Sequence, residues 1–317
     1  MKKVRITVMR MTSYPDLIEQ YENPMEHPCD MMLGQVFVAN GWQKPEGMCD
    51  SAWDTLSPFV MALSHGAEDF YEGRMKKKLR WIIPVAVIII LACTFFAYVE
   101  QYYHADDTAL AAMKSGENVE ISETNYGWLF DGQSDENALI FYPGAKVEAK
   151  AYAPLCRVLA QNGIDVCLVD MPFRLAMFGY NKADEVLDSL QYEHWYIAGH
   201  SLGGAFAAYY VAGHEVDFEG IILLASYSTK ELDGLSTLLI YGSEDQVLTM
   251  DAYEKNKSNL PDDFVEYIIE GGNHAQFGSY GKQAGDGIAL ISADQQIDET
   301  VKAIREIIIE RATGQPD

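Results

Sequence analysis

A serine lies between closely spaced glycines in the run Gly199-His200-Ser201-Leu202-Gly203-Gly204. An apolar segment, 195–198, precedes it and is predicted to be a strand, and a helical stretch follows. Glycines at such a strand-to-helix turn permit the strained backbone that exposes a nucleophilic serine hydroxyl. Because a helix would begin directly after the serine, the N–H of Leu202 would face the oxyanion of a tetrahedral intermediate.

A serine hydroxyl becomes a useful nucleophile when a histidine takes its proton and a carboxylate orients that histidine. Where the nucleophile lies on such an elbow, the acid and then the histidine follow it along the chain. Asp245 and His274 fit this order, and each comes just after a predicted strand. Glu244, beside Asp245, and Asp233, after the preceding strand, remain alternative acids. The spacing predicts a triad of Ser201, Asp245 and His274.

A second oxyanion donor is expected from an earlier loop between a strand and a helix. The run 137–142 is predicted to be a strand, and Pro143-Gly144-Ala145-Lys146 follows it. The N–H of Ala145 is our candidate donor, and that of Gly144 replaces it if the loop turns one residue earlier. His200, inside the elbow, is interpreted as a packing residue whose imidazole bonds locally.

The remaining elements alternate between strand and helix along the chain. This order predicts a mostly parallel sheet with helices on both faces, whose reaction site lies at the carboxyl ends of the strands. The predicted strands are 119–122, 128–130, 137–142, 165–169, 195–198, 220–225, 237–241 and 264–269, and the predicted helices include 151–162, 182–190 and 294–312.

The stretch between Ala225 and Leu238 is too short to hold the inserted helices of a cap. The predicted site is therefore open, and the apolar loop 171–180 is the sizeable segment near it. We predict that Phe173, Met177 and Phe178 line a substrate pocket, with ordinary packing against the sheet as the alternative. Arg174 in this loop would meet a substrate carboxylate or else lie in solvent.

The chain from about Asp106 to the C-terminus, in which we predict a hydrolase domain at 106–313, resembles a bacterial serine hydrolase of the α/β-hydrolase fold, in the dienelactone-hydrolase-like branch. The matching runs are FYPGAKVEAKAY, GHSLGG, YGSEDQV and EGGNHAQFGSYG. The resemblance implies hydrolysis of esters, thioesters or related acyl bonds without a cofactor. It does not imply a particular ester. Members of the fold that use an aspartate nucleophile are excluded because this chain carries Ser201 at that position.

An uncharged apolar run covers Trp81 to Val99, which is the length needed to cross a bilayer as a helix. Five basic residues lie in the flank 74–80, and acidic residues follow the run. The positive-inside rule then predicts a cytoplasmic N-terminus and an extracytoplasmic hydrolase. Cleavage within the run would instead give a secreted or lipid-anchored protein.

Residues 1–73 resemble a truncated form of a small uncharacterised prokaryotic domain family, through cysteines in the runs PC and GMCDSAW. We expect a small α+β module there. We weigh a metal site formed by Cys29, Cys49, His27 and His65. The two cysteines lack a CxxC spacing, however, and we interpret them as small buried residues. We predict no metal site.

The net charge of -24 argues against nucleic-acid binding, because phosphate contact requires clustered lysine and arginine. Five cysteines are too few for a disulfide scaffold, and the sequence alone leaves open whether Cys156 and Cys167 pair. The leading hypothesis is a membrane-anchored serine esterase acting on a small acyl substrate. An acyltransferase with the same triad and a non-catalytic binding protein on the same scaffold are the alternatives.

Overall fold

The computed structural model describes residues 1–10, 31–67, 74–116, 118–133 and 136–306, with backbone alone for residues 74–82. The chain divides into two compact units, Met1–Ala92 and Cys93–Asp317. The second unit thus begins ahead of residue 106, where we predicted the start of the hydrolase domain.

The first unit contains a two-stranded antiparallel sheet, formed by β1 (Lys3–Thr7) and β2 (Val36–Asn40), and the helix α1 (Asp50–Ser64). Strand β2 alternates exposed and buried residues, with Phe37 and Ala39 buried, as the period of a half-buried strand requires. This arrangement agrees with the expected α+β module. His27 and Cys29 lie outside the described residues.

The helix α2 (Arg74–Val99) covers the segment predicted to cross a membrane. Within the described residues, no helix combines the length and the apolar character that a bilayer crossing needs. The prediction of a transmembrane helix at Trp81 to Val99 is therefore not confirmed.

The second unit is built on an eight-stranded sheet with the strand order β10-β9-β8-β7-β5-β6-β4-β3. Neighbours from β10 to β6 are parallel, whereas β4 is antiparallel to both strands beside it. The predicted, mostly parallel sheet is confirmed. The strands are β3 (Glu120–Glu123), β4 (Gly127–Asp131), β5 (Asn137–Tyr142), β6 (Asp165–Val169), β7 (His194–His200), β8 (Gly220–Leu224), β9 (Ser236–Gly242) and β10 (Val265–Ile269).

Helices cover both faces of this sheet, as predicted for alternating strands and helices. One buried apolar cluster joins the sheet to the helices 153–161 and 293–305, and a second joins the opposite face to the helices 182–189, 202–213 and 250–256. Strands β6 and β8 are buried along their whole length, which explains their continuous apolar sequences. The helices are α3 (Asp107–Ala112), α4 (Ala153–Gln161), α5 (Lys182–Ser189), α6 (Leu202–Gly213), α7 (Met250–Asn256) and α8 (Ala293–Arg305).

The register of the parallel strands brings their carboxyl ends to one edge of the sheet. Tyr142 pairs with Gly199, and His200 pairs with Leu224. Residues 225–235 connect β8 to β9 without a helix, so no cap is inserted there. Cys156 and Cys167 are buried free thiols, which answers the pairing question left open by the sequence.

Candidate active site

Ser201 lies between the end of β7 and the start of α6, in a conformation that a serine rarely adopts. Its φ is 53° and its ψ is -123°. The N–H of Ser201 donates to the carbonyl of Leu224 at 2.9 Å, and its carbonyl accepts from the Ser226 hydroxyl at 2.7 Å. A non-glycine residue in such a region costs about 1–3 kcal/mol and is held there by its surroundings. The predicted elbow geometry is therefore present.

Glycine is required at position 203 because the first turn of α6 approaches the end of β5. A Cβ atom on Gly203 would lie 2.3 Å from the carbonyl oxygens of Tyr142 and Pro143. This close approach brings the loop 143–146, called the oxyanion loop after its predicted role, beside the N-terminus of α6. Leu202 is the first residue of that helix, so its N–H has no intrahelical partner.

His274 and Asp245 form a buried pair. The distance from His274 Nδ1 to Asp245 Oδ2 is 2.8 Å, and the two side chains are 2% and 1% exposed. The other carboxylate oxygen, Oδ1, accepts the N–H groups of Val247 and Leu248 at 2.8 Å each. A carboxylate accepts hydrogen bonds, so Nδ1 carries the proton and Nε2 has a lone pair available.

The two alternative acids lie elsewhere. Asp233 is exposed in the connection between β8 and β9. Glu244 accepts a hydrogen bond from the neighbouring Ser243 hydroxyl at 3.3 Å. Asp245 is thus the candidate acid that the structure brings to His274.

Ser201 and His274 line the same cavity, which has a volume of about 200 Å³. This volume is below the roughly 300–1,000 Å³ of pockets that enclose drug-sized ligands. The lining contains no aspartate, glutamate, lysine or arginine side chain. The remaining lining residues are Leu202, Ala205, Ala225, Ser226, Tyr227, Val247, Leu248 and Thr249.

The loop after β5 leaves one N–H group available beside the elbow. The N–H of Gly144 donates to the Tyr152 hydroxyl at 3.0 Å, and that of Lys146 donates to the carbonyl of Arg174 at 2.8 Å. Within the described residues, the N–H of Ala145 has no hydrogen-bond partner. Of the two donors that the sequence left open, Ala145 is therefore the free one.

The loop predicted to wall the pocket lies elsewhere. Phe173, Met177 and Phe178 are 42%, 51% and 47% exposed, and none of them lines the cavity beside Ser201. The ring of Phe95 lies edge-on against Phe173 at 5.3 Å and against Phe178 at 5.9 Å between centroids. The pocket assignment of these three residues is wrong for this cavity, because the loop turns toward the end of α2.

Arg174 is also engaged outside the cavity, with residues that follow or end α2. Its guanidinium lies 3.4 Å from the centroid of the Tyr102 ring. It also donates to the carbonyl of Val99 at 3.2 Å and lies 3.8 Å from the Glu100 carboxylate.

Asp286 is a site residue that the sequence did not reveal. Its Oδ1 accepts N–H groups from Gln246, His274 and Gly287 at 3.4, 3.3 and 2.8 Å. Its Oδ2 accepts the N–H of Ala275 at 2.8 Å. Asp286 therefore links the loop that carries His274 to the turn that carries Asp245. The only local signal is an aspartate between two glycines, which is common in surface turns.

No group of histidine, cysteine or acidic residues in the described part of the chain is arranged to hold a metal ion. The family model of the alpha/beta hydrolase family matches residues 138–298, about half of the chain.

The chain belongs to the α/β hydrolase family. The expected resemblance is thus confirmed at the level of the family. As a member with a serine on its elbow, this α/β hydrolase is an enzyme of the serine esterase type.

Several solved structures are similar to this hydrolase. A predicted CIB-like hydrolase from Thermoplasma acidophilum is 16% identical, covers 59% of this chain and 99% of its own, and gives a TM-score of 0.46. A dienelactone hydrolase from Anabaena variabilis is 13% identical, with 60% and 99% covered and a TM-score of 0.44. A carboxylesterase from Mesorhizobium loti is 18% identical, with 50% and 92% covered and a TM-score of 0.39. None of the curated proteins matches this hydrolase.

Proposed function

We propose that this hydrolase cleaves carboxylic esters with small, uncharged acyl groups through an acyl-enzyme on Ser201. The observation that supports the proposal most directly is the buried His274–Asp245 pair, whose histidine lines the same cavity as the strained elbow serine. Burial matters here because a charge-assisted hydrogen bond is stronger when water is excluded.

In the first half of the proposed reaction, Ser201 Oγ attacks the ester carbonyl and His274 Nε2 takes the hydroxyl proton. Asp245 holds the imidazole with Nδ1 protonated and stabilises the imidazolium that forms. The N–H groups of Leu202 and Ala145 donate to the oxyanion. When the tetrahedral intermediate collapses, the bond to the alkoxy group breaks and the proton on His274 leaves with the alcohol.

Water completes the cycle by the reverse sequence of proton transfers. His274 takes a proton from water, the hydroxide attacks the acyl carbonyl, and the proton returns to Ser201 Oγ as the acid is released. The cavity supports acyl groups that are small and uncharged, because its volume is about 200 Å³ and no acidic, lysine or arginine side chain lines it.

Labelling with a fluorophosphonate probe tests the nucleophile. Ser201 should displace fluoride and become phosphonylated, whereas Ser201→Ala should stay unlabelled and lose about 10⁴-fold or more of the turnover of p-nitrophenyl acetate. Ser236→Ala is the control, since Ser236 is exposed at the start of β9. Labelling of the Ser201→Ala variant at another residue would refute the proposed nucleophile.

An extracytoplasmic location stays a prediction from the charges that flank the apolar run 81–99. It is supported by sequence alone. Protease added to intact cells should digest residues after about 100 and spare residues 1–80. Digestion of both parts only after lysis would contradict this location.

A further inference from the structure

A buried hydrogen-bonded chain joins the oxyanion loop to the nucleophile elbow. The N–H of Gly144 donates to the Tyr152 hydroxyl at 3.0 Å, and that hydroxyl lies 2.7 Å from His200 Nδ1. Tyr152 and His200 are 0% and 1% exposed. Tyr152 ends the short turn before α4, and His200 is the last residue of β7.

The positions of the hydrogens in this chain follow from the donors and acceptors available. A tyrosine hydroxyl has one hydrogen, and the two groups that contact the buried Tyr152 hydroxyl are the Gly144 N–H, which can only donate, and His200 Nδ1, which therefore accepts that hydrogen. His200 is therefore protonated on Nε2. Burial, together with the nearby His274, holds the pKa of His200 well below its usual range, so its imidazole stays neutral.

The second ring nitrogen of His200 lies beside the candidate base. His200 Nε2 is buried and forms no hydrogen bond of ordinary geometry in the described part of the protein, but the backbone of His274 favours a proton on the ring. The better-formed hydrogen bond of His200 is therefore the one to Tyr152.

The pair contacts three parts of the candidate site. A Cβ on Gly144 would lie 2.8 Å from both His200 Nδ1 and the Tyr152 hydroxyl, so the oxyanion loop packs directly on the pair. His200 is covalently joined to Ser201. Its ring also contacts the ring of His274, with centroids 4.5 Å apart and planes at 49°.

We propose that Tyr152 and His200 are positioning residues that fix the N–H of Ala145 relative to Ser201. The inference rests on the proposed function. The Tyr152 hydroxyl holds the peptide group between Pro143 and Gly144, and the carbonyl of Arg174 holds the one between Ala145 and Lys146. The peptide group between these two carries the free N–H of Ala145, so it is fixed from both sides. Donors that are already oriented stabilise an oxyanion without reorganising during the reaction.

The first test replaces Tyr152 with phenylalanine, which removes only the hydroxyl. Its matched control is Tyr126→Phe, since Tyr126 is 1% exposed and its hydroxyl contacts Cys167 Sγ at 3.8 Å, away from the cavity. With p-nitrophenyl acetate, Tyr152→Phe should lower kcat at least about 10-fold, and at most by the roughly 10²–10³-fold of a lost oxyanion donor, with KM within about twofold.

A purely structural role for the hydroxyl predicts a different result. Both tyrosine variants would then show similar losses in thermal midpoint and unchanged kcat. A kcat for Tyr152→Phe within about twofold of that for Tyr126→Phe would overturn the inference, as would a change confined to KM.

A second pair of variants tests the acceptor. Asparagine and leucine have nearly the same shape, but the asparagine side-chain oxygen can accept the Tyr152 hydrogen in place of Nδ1. His200→Asn should keep most of the kcat, and His200→Leu should lose it as Tyr152→Phe does. Equal activity in the two His200 variants would refute the role of the hydrogen bond.

Fluorophosphonate labelling separates failure of the inference from failure of the proposed function. If Ser201→Ala stays inactive and unlabelled while both tyrosine variants keep full kcat, the inference alone fails. If Ser201→Ala keeps its activity, the proposed function fails as well.

Discussion

Replacing Asp286 by alanine should both destabilise the protein and slow its catalysis. The carboxylate accepts four backbone N–H groups. Two come from His274 and Ala275 in the loop of the candidate base, one from Gln246 in the turn of the candidate acid, and one from the neighbouring Gly287. Without it, His274 and Ala275 lose the groups that hold their N–H atoms in place. The side chain itself does not line the cavity beside Ser201.

The magnitude follows from the lengths of the four contacts. Two are short, at 2.8 Å from Ala275 and Gly287, and two are long, at 3.3 Å from His274 and 3.4 Å from Gln246. A hydrogen bond to a charged group contributes about 1.5–3 kcal/mol, and the partial exposure of Asp286 lets water replace part of that. Counting the two short bonds alone, we expect a loss of about 2–4 kcal/mol in the free energy of unfolding.

The effect on catalysis comes from the geometry of the imidazole. A displacement of about 1 Å at a reacting group lowers the rate by roughly 10²-fold, so kcat should fall by about that factor while KM changes little. Urea unfolding and the kinetics of p-nitrophenyl acetate hydrolysis measure the two effects. Asp263→Ala is the control, because Asp263 is exposed in the turn before β10.

Asp286→Asn adds an intermediate case, since its amide keeps one acceptor oxygen without the charge. Stability and kcat should both fall between those of the native protein and of Asp286→Ala. If Asp286→Ala matched Asp263→Ala in both measurements, the carboxylate would have no part in holding the two loops together, and the reasoning would be refuted.

Three further variants test other parts of the site. Asp245→Asn should lower the kcat of ester hydrolysis by about 10⁴-fold because the amide favours the wrong imidazole tautomer. Asp233→Asn should keep a kcat close to that of the native protein. The reverse pattern would identify Asp233 as the acid. Leu248→Ala widens the cavity and should raise kcat/KM for a butyrate over an acetate ester by roughly tenfold; an unchanged chain-length profile would mean that the acyl group binds elsewhere. Gly203→Ala should prevent folding or abolish activity, because its Cβ would lie 2.3 Å from two carbonyl oxygens, whereas a Cβ at Gly213 meets nothing within 4 Å. Gly213→Ala should be neutral or stabilising by up to about 1 kcal/mol in thermal unfolding, and equal behaviour of the two variants would contradict the close approach.

The sheet and the order of its helices follow from the sequence because both depend on local and periodic signals. Buried parallel strands such as β6 and β8 have continuous apolar sequences, and the elbow is marked by glycines that a close approach requires. The choice of Ser201, Asp245 and His274 as candidates depends on chain order. The hydrogen bond between His274 and Asp245, and the cavity that His274 lines together with Ser201, are known only from the structure.

The residues that position the candidate site carried no comparable signal. Asp286 acts through backbone N–H groups that are distant in sequence, and Tyr152 reaches His200 across 48 residues. Neither contact leaves a periodic pattern or a motif. The apolar character of Phe173 and Phe178 indicated burial against something, but it did not distinguish a substrate from the ring of Phe95.

The segment that follows α2 determines where a shortened form of this enzyme can begin. Tyr103 exchanges backbone hydrogen bonds with the oxyanion loop, donating to the carbonyl of Lys146 at 2.7 Å and accepting from the N–H of Glu148 at 2.9 Å. Lys146 in turn donates to Arg174, whose guanidinium lies on the ring of Tyr102. The link between helix and enzyme is thus a structural part of the loop that carries Ala145. A recombinant fragment that starts at Asp106 would lack this support, and one that starts at Cys93 would retain it.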